Sequence, residues 1–206
     1  MTKAPVAPGL RLGVFGGAFD PPHMAHLALA QAAVAQLHLD QLNIIPTGVA
    51  GHKARGLTPA EHRVAMCRLA FASIPQAIVD TREATRAGVS YTIDTLRELR
   101  VEHSDAEIFL VIGEDQARAF QTWRQWQDIT EIAIICVAAR ADRTGASGLI
   151  DSLFPDPGRV QRLQMPISSV SATEIRQHLA DSKSVTPLVF ESVARYIEQH
   201  HLYRTA

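Results

Sequence analysis

Two histidines three residues apart, His23 and His26, follow a Gly-Gly pair and an Asp-Pro-Pro entry in the stretch GVFGGAFDPPHMAH at residues 13–26. On a helix beginning here, the two imidazoles are neighbours on one face of the first turn. Asp20 suits the N-cap, and Pro21 and Pro22 suit an entry that needs few N–H donors. Free N–H groups and the positive end of the helix dipole at such a start favour an anion. The same dipole disfavours a protonated imidazole until a polyphosphate compensates it. Gly16 and Gly17 let the backbone approach a ligand, so the run Gly16, Gly17, Ala18, Phe19 offers main-chain contacts. Turn punctuation with a capped helix is the plain alternative. A zinc reading needs a third ligand, and no acidic or cysteine partner lies at a telling spacing. The oxidoreductase fingerprint GxGxxG is absent.

A second stretch, SVSATEIRQHL at 169–179, contains the S-x-x-E capping pattern from Ser171 to Glu174. Arg176 follows within a turn and a half, so its planar fork can reach an anion held at that helix start. A surface helix with an exposed arginine is the bland alternative. No Ser-His-Asp or Cys-His arrangement is evident, so the chemistry these residues suit is positioning and charge neutralisation rather than side-chain nucleophilic attack.

The elements that must position these groups alternate along the chain. Strands are expected at Leu10 to Gly16, Leu42 to Pro46, Ala77 to Thr81, Glu107 to Ile112, Ile132 to Ala138 and near Met165 to Ser168. Helices are expected at Met24 to Leu37, after a TPAE capping box at Thr58 to Glu61, at Thr92 to Glu102, over SATEIRQHL and at Pro187 to His201. Met66, Cys67 and Leu69 to Phe71 have core-like spacing. Polar Gly-containing loops occupy 47–56 and 139–148. This alternation predicts a doubly wound, Rossmann-like α/β fold: a mostly parallel sheet with helices on both faces. One domain over 1–206, with 1–9 as a loose tail, is the simplest organisation.

The 206 residues are 47% hydrophobic and 20% charged, with a formal net charge of -1, enough for a full core and too neutral for a broad basic field. Nucleic acid is therefore not an expected partner, and no membrane is expected either, because no stretch approaches the roughly 18 uninterrupted apolar residues of a span. Cys67 and Cys136 lack CxxC spacing and read as reduced thiols. The start MTKAPVAPGL has no apolar core of a signal peptide, so a cytoplasmic location is expected.

GGAFDPPHMAH resembles the GGxFDPxHxGH signature of the HxGH nucleotidyltransferases, and VSATEIR resembles their (I/V)SxTxIR element. GHK (Gly51 to Lys53), SYTIDTL (Ser90 to Leu96), IGEDQARAFQTW (Ile112 to Trp123) and the tail YIEQHHLYR narrow the resemblance to the bacterial nicotinate mononucleotide adenylyltransferases. It runs from about residue 11 to 204. Two departures stand out: Ala25 replaces the glycine of HxGH, and Arg140-Ala141-Asp142 replaces a common R-P-G.

The resemblance implies transfer of the adenylyl group of ATP to nicotinate mononucleotide, with Mg²⁺ arriving on the ATP phosphates and no protein-bound metal. It implies His23, His26 and Arg176 as catalytic residues, His26 near the α-phosphate and the other two nearer the pyrophosphate. Gly16, Gly17, Ala18, Phe19, Gly113, Asp115, Ser171 and Thr173 complete an ATP side. Lys53, Tyr91, Thr92, Trp123 and Arg140 form a mononucleotide side. Trp123 offers a stacking face for a pyridinium, although Trp123 and Trp126, three apart, also fit a core. Lys53 equally suits a solvated loop, and Asp115 a helix cap. The same chemistry on nicotinamide mononucleotide or phosphopantetheine, an inactive nucleotide-binding regulator, and a homo-oligomeric assembly stay open at this stage.

Overall fold

The computed structural model describes residues 9–48, 56–140, 154, 156–165 and 170–203. Among the described residues six strands form one sheet in the order β3-β2-β1-β4-β5-β6. They are β1 (Arg11–Gly17), β2 (Gln41–Pro46), β3 (Ala77–Val79), β4 (Glu107–Ile112), β5 (Ala133–Arg140) and β6 (Val160–Met165). Every neighbouring pair is parallel. The helices are α1 (Met24–Leu37), α2 (Ala60–Phe71), α3 (Arg82–Thr85), α4 (Thr92–Glu102), α5 (Glu114–Arg118), α6 (Trp126–Ile132), α7 (Ala172–Ala180) and α8 (Glu191–Gln199).

Strand alternation divides the core between the two faces. Phe109 and Val111 of β4 join Leu27, Ala30, Met66, Ile175, Val193 and other residues of α1, α2, α7 and α8. Ile108, Leu110 and Ile112 of the same strand join Leu96, Leu99, Ala117 and Ile129 of α4, α5 and α6. A run apolar at every position is what a strand covered on both faces requires. Cys67 and Cys136 are free, and both lie in the first of these clusters. Burial pushes both thiols up, Cys136 to about 12. No helix among the described residues is long and apolar enough to cross a membrane.

The expected bounds of α1, α4 and β4 agree with the structure. The ends of β1, β2 and β3 shift by one or two residues, and four further expectations do not hold. The TPAE box is not formed: α2 starts at Ala60 behind Pro59, and Thr58 gives its backbone to tertiary bonds instead. The last strand is Val160–Met165 rather than the stretch near 165–168. Only Leu163 of it is buried, and its apolar residues Val160, Leu163 and Met165 do not alternate regularly, so this edge strand left little apolar signal. Ala139 and Arg140 extend β5 where a loop was expected. Finally, α8 begins at Glu191; the preceding turn offers the Leu188 carbonyl to the Met24 N–H at the start of α1.

The order places β1 beside β4 at the centre of the sheet, and the chain crosses from β1 to opposite sides of it. In such a sheet the crevice lies outside the carboxyl ends of those two strands. GGAFDPPH leaves β1 there, and Gly113 leaves β4 there.

Candidate active site

Gly16 and Gly17 are the last residues of β1, in register with Ile45 and Pro46 of β2. At Gly17 a Cβ would stand 3.2 Å from the Phe19 ring, so the missing side chain makes room for the loop to fold back on the strand. Phe19 takes a positive φ of 47° and is buried, with its ring edge-on to Phe15, Phe71 and His26. Four packed aromatic rings hold the loop against the core.

Asp20 is not the N-cap of α1. That position belongs to His23, in extended conformation, and the helix begins at Met24. Asp20 is instead a buried hub. Its Oδ1 accepts from the Tyr203 hydroxyl at 2.7 Å, its Oδ2 from the Thr58 N–H at 3.5 Å, and its backbone carbonyl from Arg176 Nη1 at 2.8 Å. Burial and the adjacent Asp20 charge push the Tyr203 phenol well up, so it stays a donor.

The two imidazoles stack, centroids 3.8 Å apart and planes 28° from parallel. The backbone N–H of His23 donates to Nδ1 of His26 at 3.2 Å. An accepting Nδ1 leaves the proton of neutral His26 on Nε2, a donor turned away from its own backbone. Burial lowers the pKa of His23 to about 4, and its Nδ1 is buried without a partner. Burial, then the neighbouring His23, lowers that of His26. Both rings are therefore neutral donors until negative charge arrives. At this helix start Met24 N–H is taken by Leu188, whereas the Ala25 N–H has no partner among the described residues.

Arg176 reaches this loop from α7. Ser171 caps that helix as expected, accepting from the Glu174 N–H at 3.2 Å. The second fork nitrogen of Arg176 binds Thr173 Oγ1 at 3.1 Å. Residues 156 positions apart in sequence thus meet at Asp20.

Gly113 is the N-cap of α5, and Asp115 lies exposed in its first turn. Farther along the same edge, Tyr91 is the N-cap of α4 and Thr92 its first residue. Trp123 lies half-buried with its ring 5.3 Å from that of Phe120, and Trp126 packs on the same phenylalanine. Arg140 ends β5, whereas Lys53 lies outside the described residues.

Sequence reasoning missed Arg63. Its side chain is almost fully buried, and it binds the carbonyls of Thr58 (2.8 Å), Ala18 (2.9 Å) and Gly48 (3.4 Å). One guanidinium therefore ties the loop after β1 to both ends of the connection between β2 and α2. Burial lowers its pKa, opposed by the Asp20 charge. A signal existed: Arg63 shares the inward helical spacing of Cys67, Ala70 and Phe71, so it is a cation on an apolar face. Tyr203 was noted only as part of a familiar tail.

Comparison with known proteins gives the family. The model of the cytidylyltransferase-like family matches residues 14–178. A protein of Albidiferax ferrireducens named a probable nicotinate-nucleotide adenylyltransferase is 56% identical over 95% of this chain and 99% of its own. One of the same name from Methylibium petroleiphilum is 42% identical over 96% and 94%. The fold is shared with Plasmodium falciparum nicotinic acid mononucleotide adenylyltransferase, solved with NaAD, at TM-score 0.76, 17% identity and 94% and 97% coverage. The chain belongs to the cytidylyltransferase-like nucleotidyltransferases and, within them, to the nicotinate-nucleotide adenylyltransferases.

Proposed function

We propose that this enzyme transfers the adenylyl group of ATP to nicotinate mononucleotide, forming nicotinate adenine dinucleotide and pyrophosphate. The observation that carries the reading is the joining of the two histidines to Arg176 through the Asp20 loop, at the crevice of the sheet. The names of the similar proteins support it.

A phosphate oxygen of the mononucleotide attacks the α-phosphorus; the bond to the β-phosphate oxygen breaks, and pyrophosphate leaves with the electron pair. The attacking oxygen is already anionic, so no side-chain base is needed, and the protein's part is positioning and charge stabilisation. His26 Nε2–H would serve the α-phosphate, with His23 and Arg176 at the leaving group. Polyphosphate charge would raise the depressed pKa values of the two imidazoles and strengthen their hydrogen bonds. Gly16, Gly17, Ala18 and Phe19 would line the phosphates, with Ser171 and Thr173 at the start of α7. Gly113 and Asp115 would meet the adenosine. Tyr91, Thr92 and Trp123 would take the pyridine ring, with Lys53 and Arg140 on the mononucleotide phosphate.

Among the described residues no group of three His, Cys, Asp or Glu side chains can hold a metal ion, and the Asp20 carboxylate is already engaged. Mg²⁺ would enter on the ATP phosphates and offset their charge. A cytoplasmic location fits the two free thiols.

The test is pyrophosphate release from ATP and nicotinate mononucleotide by folded protein. No release at millimolar substrates would sink the proposal.

A further inference from the structure

The acceptor end holds a cation that the reaction scheme leaves unused. Arg124 follows Trp123, and its guanidinium carbon lies over the Tyr91 ring, 4.6 Å from the centroid. Tyr91 is a large hydrophobic residue left 38% exposed. Arg97 of α4 binds Gln125 Oε1 at 3.3 Å and Asp128 Oδ2 at 2.7 Å, fastening the Trp123–Gln125 turn beside the helix that Tyr91 caps. The Tyr91 ring at the start of α4 and the turn that carries Trp123 are thereby linked, by the Arg124 guanidinium and by Arg97.

Its charge is uncompensated. Arg82, Arg86, Arg97 and Arg118 all pair with carboxylates, whereas Arg124 has no ion pair or hydrogen bond among the described residues. Stacking on an aromatic face holds a guanidinium in place without consuming its N–H donors. The fork is thus oriented and still free to bind a planar oxyanion. At the same corner Ser90 Oγ is buried without a partner, and the first N–H groups of α4 face outward from the helix start.

We propose that Arg124 determines specificity at the acceptor end, binding the carboxylate of the nicotinate ring and rejecting the nicotinamide ring. The inference rests on the reading above, in which Tyr91, Thr92 and Trp123 receive the pyridine. The acid head group carries a cationic ring and an anionic carboxylate. The amide keeps only the ring's positive charge. Arg124 attracts the first through a charge-assisted bidentate bond and leaves the second with a like-charge contact, so one residue supplies both attraction and exclusion. Moving from the Tyr91 ring to the carboxylate also uncovers the tyrosine face beside the incoming pyridine.

The test compares kcat/KM for nicotinate and nicotinamide mononucleotides in wild type, Arg124→Ala and Arg124→Lys. The alanine variant should lower kcat/KM on the acid by about tenfold or more, chiefly through KM. Its KM for ATP and its Tm should stay as in wild type, and its activity on the amide should hold or rise. Arg124→Lys should recover part of the acid preference, keeping the charge without the fork. An unchanged acid-to-amide ratio in Arg124→Ala, whether both activities fall together or neither falls, overturns the inference alone. A wild type that turns over neither mononucleotide overturns it together with the proposed function.

Discussion

The two ends of the candidate cleft are built differently. At the phosphate end Asp20, His23 and Arg63 are buried and Arg176 is bonded across the chain, so each group is held by others. At the acceptor end Tyr91 is partly exposed and Arg124 is restrained by a ring contact alone among the described residues. The contrast fits what each end would do under the proposed function. Stabilising charge on a transferring phosphoryl group demands donors already in place, whereas choosing between two ring substituents requires only an energy difference. Damage at the first end should therefore reach rate and stability, and damage at the second should reach discrimination.

The largest expected effect is His26→Ala. Loss of one positioned donor should lower kcat by about 10²–10³-fold. Tm should fall as well, because the His26 ring packs edge-on to Phe19 and accepts the His23 N–H. Unchanged turnover would remove His26 from the mechanism.

Arg63→Met sharpens the contrast from the structural side. It abandons three loop carbonyls and should cost about 3 kcal/mol in denaturant unfolding. A cost within experimental error would show the loops are held by other means.

Acid pH provides a third measure. His23 is neutral in both folded and unfolded chains well above 6.5. Below that value the unfolded residue takes a proton while the folded one resists until about 4. The folded state binds fewer protons, so stability falls as pH drops from 6.5 toward 4, by about 3 kcal/mol in total. Saturating pyrophosphate should reverse part of the loss, with proton uptake on binding near pH 6 visible by calorimetry. A pH-independent stability across that window contradicts the buried-histidine account.

Tyr203→Phe is a smaller step. It removes the hydroxyl from the Asp20 carboxylate and should cost about 1–2 kcal/mol of stability, with a modest fall in kcat. An effect on acid-over-amide preference without one on rate would erase the distinction between the ends.

Ala25→Gly is expected to be the subtlest. Removing the methyl between the histidines should tighten ATP binding, offset by up to about 1 kcal/mol of helix stability. An unaltered or weaker KM for ATP would show that the methyl is accommodated.

Much of this was readable in one dimension. The β4 run EIFLVI and the α1 and α4 segments have periods that identify them, because local hydrophobic spacing and secondary structure express the same geometry. The histidine pair and the Ser171 cap are local as well. β6 was displaced because an edge strand need not be apolar, and Thr58 lost its capping role because Asp20 and Arg63 claimed its backbone.

The sequence by itself determined the alternating α/β architecture, the anion-suited helix starts and the chemistry they suit, since these depend on residue types a few positions apart. Only the tertiary structure decided which distant groups share a hydrogen bond. It set Tyr203 and Arg176 on Asp20, buried Arg63 between two loops, and placed Arg124 over Tyr91. Such contacts carry no periodicity along the chain. They arise where sheet order and helix packing bring remote segments within a few ångströms, and burial there fixes the charge each group can carry.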